Sequence, residues 1–331
     1  MFWPLVVDVV VMALRRKYAS RIGSKSMEWY ILCLLVVLAH VALGNGDPRQ
    51  LLGLRGVVTQ TPDDKHPDSL NTNATVANAN LTVPLHAHSG THHVHVYIGS
   101  PPQRQTLIVD TGSRVMAFPC KPCANCGTHV SPYFDARQST TYRESTCGEC
   151  LLGGIAKCSL FGNQCEINQK YTEGSTWTAK EGEDMVWLGT SDVTESIEEH
   201  MQLAVPFAFG WQTNIKGLFQ KQYADGILGL AQHETSIVAA YYNAGAISHN
   251  SFSLCMTPDA GYLSMGGSLP ATYHREPMKM TPIIRSHGWY SVEVTRIFLE
   301  DTEITSSSWH PSLVQHVNGG KGCILDNGSK V

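Results

Sequence analysis

Apolar and polar positions change rhythm along this chain, and the changes mark its parts. Val94, Val96 and Ile98 alternate with His95 and Tyr97, the period-2 pattern of a strand with one buried face. Gly99-Ser100-Pro101-Pro102 then turns the chain. Thr106-Leu107-Ile108-Val109 follows as a short apolar run of the buried-strand kind, ending at Asp110-Thr111-Gly112-Ser113. Ser291-Val292-Glu293-Val294 alternates again, and Trp289 and Tyr290 before it read as packing residues rather than a ligand platform. The 29 Gly and 16 Pro supply the turns that many short strands need. A mainly β fold is the expectation.

Two stretches near the N-terminus break this pattern. Ile31 to Ala39 is uniformly apolar, with the length of a signal-peptide core and short for a membrane span. Small residues at Ala42 and Gly44 fit cleavage after Gly44. An earlier run, Leu5 to Leu14, is broken by Asp8 and followed by Arg15-Arg16-Lys17. Two layouts fit: a signal beginning at Met1, or a start at Met27 behind an extension. An uncleaved N-terminal anchor is the alternative to removal. Either way the chain is expected in the secretory pathway, outside the cell or in an endomembrane lumen, where disulfides persist. Residues 45–90, rich in Asn, Asp, Thr and Pro, read as a loosely ordered leader or propeptide. Asn73 and Asn80 head glycosylation sequons there.

Composition narrows the function classes. The 28 acidic and 24 basic residues give a net charge of -4, without the clustered cations that nucleic-acid binding requires. A 43% hydrophobic content excludes a mostly disordered chain. Of ten cysteines, seven crowd one segment: Cys120, Cys123, Cys126, Cys147, Cys150, Cys158 and Cys165. Setting aside Cys33 in the apolar stretch leaves nine, so at least one is free or pairs outside the chain. The Cys-x2-Cys-x2-Cys spacing fits zinc or iron–sulfur ligation as well as disulfides, and the secretory compartment favours disulfides. His86, His88, His92, His93 and His95 crowd one strand region. Metal binding is one reading; strand alternation scatters them over both faces, which favours plain surface polarity.

Asp110 directly follows a buried run and precedes Gly112, where desolvation and backbone N–H groups both act on a carboxylate. Alone, the tetrapeptide also reads as an ordinary β-turn. The second occurrence decides between them. Cys323-Ile324-Leu325 again leads into Asp326-Asn327-Gly328-Ser329, far enough along the chain for a whole lobe to intervene. A repeated strand–Asp–x–Gly–Ser signature points to two related lobes, each supplying one carboxylate to a shared site.

With these motifs the chain, from about Val94 onward, resembles the pepsin-like aspartic proteases. Gly99-Ser100-Pro101-Pro102-Gln103 is similar to the turn before the first catalytic strand, and Asp110-Thr111-Gly112-Ser113 matches the first catalytic motif. Tyr171-Thr172-Glu173-Gly174-Ser175 resembles the flap, with Tyr171 at the flap-tyrosine position. Asp225 to Leu230 resembles the segment bracing the first catalytic loop; Phe252 to Cys255 and Leu263 to Gly267 resemble strands leading out of the first lobe. Phe118-Pro119-Cys120 and the following cysteines resemble the plasmepsin V and nepenthesin-like branch, whose insert is knitted by disulfides.

The resemblance implies a bilobal fold with a catalytic first lobe at 91–265, after an extension and signal at 1–44 and the leader at 45–90, and a partial second lobe at 266–331. It implies an aspartic endopeptidase acting on peptide or protein substrates, needing no metal or cofactor. Asp110 and Asp326 would share one proton: the ionised carboxylate takes a proton from a water, and the protonated one hydrogen-bonds the substrate carbonyl. Tyr171, Gly112, Ser113 and Gly328 would line the substrate site. Asn327 stands where Thr or Ser is expected, which puts the tie between the two catalytic loops at issue. The sequence ends five residues after Asp326, so most of a second lobe, and any C-terminal anchor, would lie beyond it. A termini-frayed Asp326 would leave the chain by itself inactive. A non-catalytic protease-like binder and a disulfide-rich module with turn aspartates are the competing classes.

Overall fold

The computed structural model describes residues 7–10, 54–58, 81–159, 162–171, 174–189, 203–267, 280–284, 288–299, 302–303, 311–320 and 322–328. The chain divides into two compact units: Met1–Ser20, Val76–Arg275 and Asp326–Val331 in the first, Arg21–Thr75 and Glu276–Leu325 in the second.

The first unit is mainly β. Its centre is the Gln103–Asp110 strand, antiparallel to Thr91–Ile98 on one side and parallel to Gly226–Gly229 on the other. Both edges are hydrogen-bonded and both faces covered, so Gln105 to Asp110 are all buried. That explains a near-continuous apolar run rather than an alternating one. Thr91–Ile98 keeps the alternation instead: Val94, Val96 and Ile98 are fully buried while His95 and Tyr97 are half-buried.

From this centre the sheet runs outward through Leu81–His88, Ala260–Met265 and Phe252–Met256. On the other side come Ala117–Pro119, Val205–Lys216, Thr176–Leu188 and Cys165–Lys170. The long Thr176–Leu188 strand reaches back to pair Val186, Trp187 and Leu188 with Ile98, Tyr97 and Val96. This rolls the sheet around a core containing Trp187, Phe118, Phe134 and Phe209. A short helix, Ile237–Asn243, begins at Ser236, whose hydroxyl accepts the Ala239 N–H (3.2 Å) as an N-cap.

The sheet starts earlier than the expected lobe. Leu81–His88, within the segment read as a leader, pairs antiparallel with Ala260–Met265 and with Thr91–Ile98. Val7–Val10 pairs parallel with Phe252–Cys255. The sequon asparagines Asn73 and Asn80, the Ile31–Ala39 stretch and Cys33 lie outside the described residues. Among the described residues no helix is long and apolar enough to cross a membrane.

The histidines do not scatter. His86 pairs directly with His93 across the hairpin, so His86, His88, His93 and His95 share one face. His86 stacks on His93 and His95 at ring-centroid distances of 5.6 and 4.7 Å. His92 alone turns to the other face, hydrogen-bonded to the Thr257 carbonyl (2.7 Å). The reason is the antiparallel register: alternation separates neighbours on one strand but aligns partners across two. Among the described residues no three His, Cys, Asp or Glu side chains converge on a metal position.

Six of the seven crowded cysteines form three disulfides: Cys123–Cys126, Cys147–Cys158 and Cys150–Cys165. The Cys-x2-Cys pair is thus a disulfide, not half of a metal site. Cys120, expected among the disulfide residues, is instead free and fully buried. Burial pushes its thiol well above its ordinary range. Glu181, fully buried on the Thr176–Leu188 strand, fastens the insert to the sheet: its carboxylate accepts the N–H groups of Leu151 (2.5 Å) and Leu152 (3.0 Å).

In the second unit Val294–Leu299 pairs antiparallel with Leu54–Val58 and with Thr302–Glu303, and Ser291–Val292 pairs with Cys323–Ile324. Val294, Ile297 and Val317 of the Pro311–Val317 helix form a small apolar cluster with Cys323 against it.

Candidate active site

Asp110 is the last residue of the central strand and 6% exposed. Its carbonyl accepts the Leu230 N–H (2.8 Å), and Ala231 N–H bonds the Ser113 carbonyl (2.9 Å), so the Gly226–Gly229 strand braces the whole Asp110–Ser113 turn. Gly229 must be glycine: a Cβ there would stand 2.5 Å from the Val115 nitrogen and 2.7 Å from the Ser113 oxygen.

Asp326 belongs to the same unit as Asp110. The two carboxyls lie side by side, close enough for the Asp326 charge to act on Asp110. The two loops interlock through their glycines. A Cβ on Gly112 would lie 2.7 Å from Asp326 Oδ2, and one on Gly328 would collide with Asp110 Oδ1. Each glycine is the space into which the opposite carboxylate fits. Each also supplies a donor to its own aspartate: Gly112 N–H to Asp110 Oδ1 (2.7 Å), Gly328 N–H to Asp326 Oδ1 (2.9 Å). The Ser113 hydroxyl donates to Asp110 Oδ2.

Burial, and then the Asp326 charge beside it, push Asp110 up to about 7; the Ser113 and Gly112 bonds oppose the shift. Asp110 therefore keeps its proton at mildly acidic pH.

Asn327 resolves the question of the tie between the loops. Its Oδ1 accepts the Thr111 N–H (2.8 Å), its Nδ2 donates to the Val109 carbonyl (3.2 Å), and its own N–H donates to Thr111 Oγ1 (3.1 Å). The amide holds an acceptor and a donor at once, as a hydroxyl would.

Tyr171 ends the Cys165–Lys170 strand at a hairpin closed by Tyr171 N–H to Ser175 O (2.9 Å). Its hydroxyl lies 3.4 Å from Ser113 Oγ and accepts the Trp177 indole N–H (3.3 Å). Its ring packs on Phe219 with centroids 4.9 Å apart. The expected Asp110, Asp326, Gly112, Ser113, Gly328 and Tyr171 thus converge on one place.

Two contributors, Trp177 and Phe219, escaped the sequence reading, and a third, Asp225, is legible there only as the start of the bracing segment. Trp177 and Phe219 hold the tyrosine. Asp225, 2% exposed, accepts the N–H groups of Thr106 (2.6 Å) and Ser131 (2.8 Å) and so ties the central strand to the loop beyond it. Trp177 sits six residues past Tyr171 with the hairpin turn between, a spacing that could have flagged a cross-strand partner.

A buried and a half-buried carboxyl thus face each other across glycine-lined loops, with a hairpin tyrosine against the first of them. The family model described as "Xylanase inhibitor N-terminal" matches residues 92–267, more than half of the chain. The chain belongs to the pepsin-like aspartic protease family. It is 31% identical over 192 residues to "Aspartic protease 5" of Toxoplasma gondii, covering 53% of this chain and 19% of that protein. To "Plasmepsin V" of Plasmodium falciparum it is 29% identical over 191 residues, covering 55% and 30%. To "Aspartic proteinase 36" of Arabidopsis thaliana it is 30% identical over 267 residues, covering 76% and 53%. The chain spans from about a fifth to about half of the length of these relatives.

Proposed function

We propose that Asp110 and Asp326 are the catalytic pair of an aspartic endopeptidase that cleaves peptide or protein substrates. The observation that carries the reading is the interlock of the two loops, each glycine opening the space the opposite carboxyl fills, with Asp110 pushed up to about 7. Burial favours the proton on Asp110, which donates to the scissile carbonyl oxygen as negative charge develops there. Asp326 takes a proton from the attacking water. Gly112 and Gly328 let the two carboxyls approach each other, and Ser113 orients Asp110. Tyr171 closes over the substrate and excludes water. Three disulfides support a secretory-pathway location.

The test is cleavage of a peptide library by the full-length protein at pH 4 to 7, read by mass spectrometry. Asp110→Asn and Asp326→Asn should each abolish cleavage while leaving the fold intact. Cleavage that survives either change would sink the reading. A second reading, a non-catalytic peptide- or protein-binding relative, draws on the inhibitor description of the matching family model. Peptide binding without cleavage by the unaltered protein would favour it.

A further inference from the structure

Asn327 and Gly328 make an Asn-Gly pair, and two separate demands of the fold bring those residues together. Residue 327 ties the loops: its Oδ1 accepts the Thr111 N–H (2.8 Å), and its Nδ2 reaches the Val109 carbonyl (3.2 Å) and the Met256 sulfur (3.8 Å). Residue 328 can carry no Cβ, because one there would collide with the Asp110 carboxyl. Asparagine is thermolabile because its side-chain amide is open to attack by the backbone nitrogen that follows it. A side chain on the following residue hinders that attack, and glycine removes the hindrance. The interlock that brings the carboxyls together therefore also places a labile amide beside them.

The chemistry needs nothing but water. The Gly328 nitrogen bonds to the Asn327 side-chain carbonyl carbon, the Cγ–Nδ2 bond breaks, and ammonia leaves carrying the Gly328 proton. Water then opens the cyclic imide at one carbonyl or the other. The product is Asp at 327, or its β-linked isomer with one methylene more in the backbone.

In the folded protein each reacting group is otherwise engaged. Gly328 N–H donates to Asp326 Oδ1 (2.9 Å), and Asn327 N–H donates to Thr111 Oγ1 (3.1 Å). The amide is fastened to Val109, Thr111 and Met256, and it cannot turn toward the Gly328 nitrogen without breaking those bonds.

We propose that Asn327 is a spontaneous deamidation site, suppressed while the two loops are fastened and released when they part. Folded proteins undergo such local opening without unfolding globally. Conversion is irreversible and undoes the interlock. A carboxylate oxygen replaces the Nδ2 donor, so two acceptors face each other at the Val109 carbonyl. It also adds a negative charge beside Asp110 and Asp326. The β-linked product lengthens the backbone between Asp326 and Gly328 and withdraws Gly328 from its place against Asp110. None of this depends on whether the carboxyl pair cleaves peptides.

The experiment incubates the full-length protein at pH 8, folded and in guanidinium chloride, and follows conversion at residue 327 by peptide mapping and mass spectrometry. Conversion should be at least about tenfold slower in the folded protein, as expected if it proceeds only from an opened state. Thr111→Ala, which removes one of the bonds between the loops, should convert at a rate between the two. The melting temperature of the unaltered protein should fall in step with conversion. Asn327→Thr, which has no amide to lose, should keep its own melting temperature through the same incubation. Equal rates in the folded and unfolded protein, no conversion in either, or a converted protein that melts like the unconverted one would each overturn the proposal.

Discussion

Asn327 and Thr111 clasp each other reciprocally: Thr111 N–H donates to Asn327 Oδ1 at 2.8 Å, and Asn327 N–H donates to Thr111 Oγ1 at 3.1 Å. Each residue sits one position after an aspartate, so the clasp fixes the spacing of the two carboxyls. An amide can replace a hydroxyl here because it carries both an acceptor and a donor, the latter reaching the Val109 carbonyl.

Asn327→Ala should therefore destabilise the protein by about 1–3 kcal/mol, the cost of leaving the Thr111 N–H and Val109 carbonyl without partners. Asn327→Thr should recover most of that. Urea denaturation of the three proteins checks both, and equal midpoints would show that the clasp contributes nothing.

The carboxyl pair makes a pH prediction with a definite sign. Asp110 is raised from 3.8 to about 7 in the folded protein. The unfolded chain releases this proton first, so the stability it contributes is full below about pH 3.8 and is lost as pH rises toward about 7. Asp110→Asn, which cannot ionise, should raise the melting temperature at pH 7.5 and change it little at pH 4. Equal shifts at both pH values would contradict the raised value.

His93 acts in the opposite direction. Burial, reinforced by the neighbouring His86, His95, His88 and His92, lowers it from 6.5 to about 4. Its contribution is intact above about pH 6.5 and is lost as pH falls toward 4. His93→Phe should flatten the acid limb of the stability curve between those values, as measured by thermal melting across the range.

How much of this was legible beforehand depends on what each residue's neighbours along the chain reveal. The two aspartates announced themselves because each follows an apolar run and precedes x-Gly-Ser, a local signature. Asp225 was legible only as the first residue of the bracing segment; its own role was not, because its partners are 119 and 94 residues away in sequence. The histidines were misplaced because alternation was counted on one strand, while the shared face arises across two. The Leu81–His88 strand was hidden by the polar stretch before it. The disulfide pairing could not be read because six cysteines allow fifteen connectivities; only the fold brings Cys150 to Cys165.

The last prediction concerns the thiols. Three disulfides take six cysteines, and Cys120, Cys255 and Cys323 keep their thiols among the described residues. Cys255 and Cys323 are partly exposed, whereas Cys120 is fully buried, with burial holding its thiol in the protonated, unreactive form. Alkylation of the native, unreduced protein should therefore label Cys255 and Cys323 and spare Cys120, which should react only after denaturation. Peptide mapping without reduction should recover Cys123–Cys126, Cys147–Cys158 and Cys150–Cys165. Reduction before alkylation should also loosen the insert, since two of these bonds position Leu151 and Leu152 against the buried Glu181 carboxylate. Rapid labelling of Cys120 in the native protein, or a Cys120-containing disulfide, would overturn this arrangement.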